Sequence, residues 1–173
     1  KLHQGIYLIN SEFTFISLNS LYNVYNPFSI LYSLSTVIIQ NKIDRNASTS
    51  VEFFNSKSPR FINNKFYGHT TNLNYKKCSL AYISKNTLDD SKNTFKVEMT
   101  DCDNSEIEHQ DNLQLCIKTA DNYTTKLHKI NYNKNFHSIN ISNANKCELY
   151  FNDCNTSDYT KSYPPIFLQN CAD

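Results

Sequence analysis

Glycine occurs only at Gly5 and Gly68, tryptophan is absent, and arginine is confined to Arg45 and Arg60 in a chain of 173 residues. The glycine shortage excludes P-loops, dinucleotide-binding fingerprints, nucleophile elbows and EF-hand loops, since each needs glycine where a side chain would clash or φ must be positive. With two arginines and a net charge of +1, the chain lacks the concentrated basic surface on which nucleic-acid affinity rests, so no nucleic acid is expected as a partner. Long apolar runs are missing as well. The most apolar stretch, residues 13–39, is broken by Ser17, Asn19, Ser20, Asn23, Asn26, Pro27, Ser29, Ser33 and Ser35 and never reaches the roughly 20 apolar residues of a membrane span. Charged residues are also few, at 19%, against 39% hydrophobic and 13% aromatic. That balance is too apolar for disorder, and it predicts a single folded domain over residues 1–173.

Asn, Lys, Ile, Tyr and Phe are plentiful, as AT-rich coding produces, so asparagine abundance by itself carries little structural weight. Periodicity carries more. Phe95–Thr100 and Leu113–Lys118 alternate apolar and polar residues, which predicts half-buried strands. Further strands are expected at residues 5–9, 13–18, 28–40, 51–54, 61–67, 79–84, 123–130, 136–142 and 147–151. Clusters of Asn and Asp between them supply turns in place of glycine. Helix is conceivable only at residues 18–25 and 87–91. No internal repeat is evident. Many short strands without intervening helices predict an all-β fold, a disulfide-stapled two-sheet antiparallel β-sandwich with few or no helices.

Six cysteines, Cys78, Cys102, Cys116, Cys147, Cys154 and Cys171, all lie from residue 78 onward without metal-type spacing. An even number in a short chain predicts three disulfides. The geometry of a hairpin neck suggests Cys102 with Cys116, a small loop Cys147 with Cys154, and Cys78 with Cys171. Sequons at Asn46, Asn122, Asn140 and Asn155 become glycan sites if the chain is secreted, although composition alone yields about as many by chance. In residues 136–142, Ile139 and Ile141 should face inward and Asn140 outward. A leader removed ahead of Lys1 fits the same reading.

Charge is uneven. Residues 1–88 carry nine Lys and Arg against three acids, and residues 89–111 carry eight acids against two Lys. The acidic block at Asp101, Asp103, Glu106, Glu108 and Asp111 reads first as a solvated hairpin loop. Its second reading is a docking surface for a basic partner, and its third a calcium loop through Asp101, Asp103, Asn104 and Glu106. Five histidines, with His128 between Lys126 and Lys129, are the only basis for acid–base catalysis, and no recognised catalytic motif accompanies them. Of the early aromatics Tyr7, Phe13, Phe15, Tyr22, Tyr25, Phe28 and Tyr32, most are expected in the core. Tyr22, Tyr25 and Tyr32, set among Asn and Ser, are candidates for a protein contact face.

These features predict a secreted or surface-exposed glycoprotein module, neither an enzyme nor a cofactor binder, that binds another protein. The partner would be a host receptor, a soluble ligand or a partner subunit, as for a viral or parasite host-interaction protein or a subunit of a surface glycoprotein complex. The alternatives are a self-assembling extracellular coat or filament subunit, in which strand edges pair between copies, and a small secreted hydrolase or nuclease.

Overall fold

The computed structural model describes residues 2–45, 49–68, 71–89, 94–110, 113–118, 127–131, 138–143, 146–150 and 166–169. Among these, nineteen strands follow one another in coils. The first coil holds β1 (Leu2–Ile9), β2 (Phe15–Ser17) and β3 (Ser20–Tyr22), and the second β4 (Val24–Leu31), β5 (Val37–Ile39) and β6 (Lys42–Arg45). The third holds β7 (Thr49–Phe54), β8 (Arg60–Ile62) and β9 (Lys65–Gly68), and the fourth β10 (Thr71–Lys76), β11 (Tyr82–Ser84) and β12 (Thr87–Leu88). Two sides continue through β13 (Phe95–Thr100) and β14 (Glu106–Glu108), β15 (Leu113–Lys118) and β16 (Leu127–Asn131), β17 (Ser138–Ser142) and β18 (Lys146–Tyr150), and then β19 (Ile166–Gln169).

Each strand pairs in parallel with its equivalent in the next coil, giving sheets of eight, seven and four strands. In the first five coils, stacked residues lie 22, 23 or 24 positions apart. The fold is thus a β-solenoid of about five turns. This corrects the expected antiparallel sandwich and the absence of a repeat. Alternation fixes which face of a strand is buried but not the direction of its neighbour, and a full coil supplies the long connection that parallel pairing requires without any helix. Residues 18–25 hold β3 and the start of β4, and Thr87–Leu88 is β12, so neither tempting stretch is helical.

The interior is narrow and filled by stacked rows. Along the eight-stranded sheet one row runs Ile6, Phe28, Val51, Leu73, Val97, Leu115, Ile139, and a second runs Leu8, Ile30, Phe53, Tyr75, Met99, Ile117, Ile141. Apart from Ile6 and Leu8 at the end, all of these are essentially fully buried. Phe53 stacks on Tyr75 at 4.5 Å between ring centroids, and Phe61 meets both Phe28 and Phe53 edge-on from the facing sheet. Such pairs add roughly 0.5–1.5 kcal/mol each beyond their buried area. As expected, Ile139 and Ile141 are buried while Asn140 lies half-exposed on the outer face.

Two polar ladders hold the corners. At one, Asn19 donates to Asn41, Asn41 to Asn64 and Asn64 to Asn86, each through both backbone N–H and side-chain amide to the next Oδ1 at 2.9–3.0 Å. Asn86 then reaches Gln110 Oε1 at 3.4 Å. The same amides also donate to main-chain carbonyls, Asn64 to Ile38 and Ile62 and Asn41 to Ile16 and Ile39. At the other corner the inward positions are Ser11, Ser33, Ser56, Cys78 and Cys102. Ser11 and Ser33 N–H groups donate to the next Ser Oγ, and the two thiols donate to carbonyls at 3.4–3.5 Å.

The corners bend through left-handed residues stacked coil on coil. Asn10, Tyr32, Asn55, Lys77 and Asp101 form one such column, and Leu18, Gln40, Asn63, Lys85 and His109 another. Asparagine takes some of these positions as expected, but Leu, Tyr, Lys and Gln take others, at roughly 1–2 kcal/mol each. The ladder hydrogen bonds impose the bend and offset that cost. Leu18 has φ of 57° and is 76% exposed. Leu18→Asn should therefore raise stability by about 0.5–1 kcal/mol in urea unfolding, and a loss of that size would mean Leu18 makes a contact that outweighs its strain. Gly5 serves a different need, because a Cβ there would sit 2.6 Å from the Pro27 carbonyl oxygen.

Candidate interaction surfaces

Most of the early aromatics prove to be outside. Phe28 alone of the seven is buried, which corrects the expectation that most are core. Phe13 and Tyr32 occupy left-handed corner positions, whose side chains project to solvent, and Phe15 lies on the outer face of β2 beside buried Ile16. The result is a set of exposed apolar side chains around the corner between the eight- and seven-stranded sheets, with exposed Asn10 and Glu12 among them. On one side Ile9, Leu31 and Phe54 stack in register, with Tyr32 set edge-on against Phe54 at 5.4 Å. On the other, Leu34 bridges toward the first coil and Phe15 stacks on Val37. Exposures reach 78% at Phe13 and 65% at Phe15. The next residues in these rows, Lys57 beside Leu34 and Arg60 beside Val37, are exposed and give the patch a basic border.

Of the three tyrosines singled out from sequence, all are exposed, but they do not form one face. Tyr22 and Tyr25 flank the corner at Asn23, whereas Tyr32 belongs to the apolar surface just described. In sequence Phe13, Phe15 and Leu18 fall in an expected strand over residues 13–18, with Phe13 and Phe15 among the aromatics expected mostly in the core. The signal available was their place beside corner residues in each repeat, which needs the repeat to be seen first.

The acidic block is a stretch of coil, not the solvated loop of a hairpin. Asp101 occupies a left-handed corner, Asp103 bridges to Ser79, and Glu106 and Glu108 lie half-buried on the outer face of β14. Asp111 is outside the described residues. Across the seven-stranded sheet Arg60, Tyr82, Glu106 and Lys129 follow in register, so the acids alternate with basic and phenolic neighbours. The Tyr82 hydroxyl donates to Glu108, and burial and then this bond raise its pKa. An open cleft of about 440 Å³ lies at this corner, with Arg60, Leu80, Tyr82, Asn104 and Glu106 on its walls. No three His, Cys, Asp or Glu residues among those described converge to hold a metal ion, so the chain does not gather Asp101, Asp103 and Glu106 into a calcium loop.

The expected disulfides are also corrected. Cys78, Cys102 and Cys116 are free thiols, Cys147 is half-buried on β18, and Cys154 and Cys171 lie outside the described residues. Cys102 points into the corner, whereas Cys116 is on the outer face of β15, so the imagined hairpin neck does not exist. Cys102 is buried in the next coil after Cys78, and a hydrogen bond with Cys78, then burial, hold its thiol far above the usual range. Among the sequons, Asn46, Asn122 and Asn155 lie outside the described residues, and only Asn140 is placed, on the outer face.

His128 points inward on β16, away from Lys129. It is fully buried with neither ring nitrogen hydrogen-bonded, Lys129 faces the other side of β16, and Lys126 lies outside the described residues. Register places Cys147 opposite it on β18. Burial lowers its pKa to about 4, with the Asp103 carboxylate pulling weakly the other way. Among the described residues no helix is long and apolar enough to cross a membrane. Comparison with known proteins adds no relative, since no family model, no curated protein and no solved structure matches the chain.

Proposed function

We propose that this chain is an extracellular protein-binding module, a rigid solenoid that meets its partner with the apolar corner of its first coils. The observation that carries the reading is the exposure of Phe13, Phe15 and Tyr32 at one corner together with Ile9 and Leu34. Monomeric proteins rarely leave an apolar patch of several hundred Å² uncovered, and those that do commonly use it for binding. Aromatic side chains held on a rigid backbone make effective anchors because little conformational freedom is lost on contact. The basic border at Lys57 and Arg60 fits a partner with an apolar centre and an acidic rim, whose charge would speed encounter more than it strengthens the complex. The acidic coil is less suited to docking, because Arg60 and Lys129 share its rows.

The test uses Phe13→Ser, Phe15→Ser and Tyr32→Ser together. All three sites are at least half exposed, so the strand signal in circular dichroism and the unfolding midpoint should hold. Capture from extracellular fluid should yield a partner on the wild-type chain and lose it at least tenfold on the variant. Equal capture by both chains, or none by either, would sink the reading.

A further inference from the structure

The corner that carries the exposed aromatics runs on past them along the solenoid. Its outer row is Phe15, Val37, Arg60, Tyr82 and Glu106, one residue from each of five successive coils. Beside it the left-handed residues Phe13, Ser35, Ser58, Leu80 and Asn104 form a second row, all with φ between 48° and 56°. Where the two rows pass the third, fourth and fifth coils they wall the open cleft of about 440 Å³. Paired strands lie both before and after these coils, so the cleft does not depend on either end of the solenoid.

Charge changes sign along this cleft. Arg60 stands at one end and Glu106 two coils away at the other, with Tyr82 between them. Among the described residues neither charged side chain is ion-paired or hydrogen-bonded, not even Glu106 with Lys129 beside it in the next coil. The Ser58 hydroxyl and the Asn104 amide make no hydrogen bond among these residues either. Tyr82 differs, because its hydroxyl donates to Glu108. That bond holds the half-buried ring in place, so little freedom is lost when a ligand packs on it.

Spacing selects the occupant. Parallel strands lie about 4.8 Å apart, so every second coil repeats at about 9.6 Å. A polyproline II segment turns once in three residues and rises about 9.3 Å in doing so, which brings every third side chain down on every second coil. An extended strand repeats at about 6.7 Å, and an α-helix regains its face after seven residues at about 10.5 Å, so neither keeps step as well. Polyproline II backbone has no internal hydrogen bonds, and Ser58 and Asn104 line the path along which its N–H and carbonyl groups would pass. Such segments dock in grooves lined by aromatic rings.

We propose that this corner binds its partner through a polyproline II segment laid along the solenoid axis, with an apolar residue over Phe15, an acid three positions on over Arg60, and a base three positions further over Glu106. The guanidinium fork matches a carboxylate in shape as well as charge. The acidic coil serves only as the far end of this strip. The segment can lie in either chain direction, and its acid is central in both. This inference rests on the reading of the corner as a protein-binding surface and adds the sequence that the partner must present.

Selection from a displayed library of random linear peptides tests it. The wild-type chain should enrich peptides in which an acid has an apolar residue three positions to one side and a base three positions to the other. The double variant Arg60→Glu, Glu106→Lys should instead enrich peptides with a base in the central place. A synthetic copy of a wild-type-selected peptide should bind that variant at least tenfold more weakly in fluorescence polarisation. If the double variant fails to fold by circular dichroism, Arg60→Gln and Glu106→Gln replace it, and each should lose the matching charge from the peptides it enriches. No enrichment, enriched peptides without this order, an acid-to-base spacing of two or seven, or the same peptides from wild type and variant would overturn the proposal. The partner captured from extracellular fluid separates the two readings. If it is lost on the Phe13→Ser, Phe15→Ser, Tyr32→Ser chain but kept in full on the charge-swapped chain, the binding surface stands and the segment is overturned. A partner kept by the triple variant overturns both.

Discussion

Asn64→Ala should cost about 4 kcal/mol or more, at the extreme end of what one substitution does. Asn64 is fully buried. Its Oδ1 accepts from the backbone and side chain of Asn41, and its amide donates to the Ile38 and Ile62 carbonyls and to Asn86. Alanine leaves the Asn41 N–H without its side-chain acceptor, at roughly 1–3 kcal/mol, and strips the amide donor from Ile38, Asn86 and Ile62, whose carbonyl keeps the Gln40 N–H, at about 1 kcal/mol for each bond lost. Asn64→Asp should be no milder, since it retains the acceptor but buries a charge facing two carbonyls. Asn19→Ala is the internal comparison. Asn19 is half-buried, and among the described residues no amide donates to its Oδ1, so its loss should cost only about 1 kcal/mol. Urea unfolding followed by circular dichroism gives both values, and equal losses at the two sites would show that the ladder is not what holds this corner.

Acid should destabilise the chain through His128. In the unfolded chain an ordinary histidine takes a proton below about pH 6.5, whereas burial holds folded His128 neutral down to about 4. Between these values the unfolded state binds more protons. Stability is therefore fully present above the upper value and is lost as pH falls toward the lower one. At about 1.4 kcal/mol per pH unit the loss amounts to roughly 3 kcal/mol. Among the described residues the ring faces Cys147 opposite on β18 and Ser105 before β14, neither of them an anion partner in register, and Asp103 acts against the effect of burial only as the smaller cause. His128→Leu should flatten the unfolding midpoint between about pH 7 and pH 4.5 and leave neutral stability within about 1 kcal/mol, because two unpartnered nitrogens leave the core with the charge. An unchanged pH slope in this variant would place the acid sensitivity elsewhere.

The strands were legible and their arrangement was not. Alternation located Phe95–Thr100 and Leu113–Lys118 at their observed bounds, because burial of one face is a local property. Residues 28–40 read as one strand, yet the chain turns at Tyr32 and Ser35 with positive φ and no glycine to mark the corner. The lack of helices argues against parallel pairing in the sequence, although a coil of 22 residues performs the same return. The deciding signal was a pair of residue types. Ser11 and Asn19, Ser33 and Asn41, Ser56 and Asn64, Cys78 and Asn86, Cys102 and Gln110 are each eight positions apart. Coding bias explains abundant asparagine equally well, and an even number of cysteines points to disulfides, so neither residue type marks the repeat by itself. Tyr22, Tyr25 and Tyr32 were legible as outward residues among polar neighbours. Phe13 and Phe15 were not, since only the corner geometry distinguishes them from core.

That constant eight-residue arc also divides the chain into parts that can and cannot change length. Between the serine or cysteine corner and the asparagine corner every coil matches the next residue for residue, so one inserted amino acid would pull an amide or hydroxyl out of both ladders and turn the intervening strand inside out. The rest of the coil already differs in length. Stacked partners are 22 residues apart at Asn19 and Asn41 but 24 at Asn86 and Gln110, and all of that difference arises outside the arc. A foreign peptide grafted after Asp89 would enter the variable part of the coil, whereas the same peptide placed between Ser56 and Asn64 would sever the molecule's two polar seams at once.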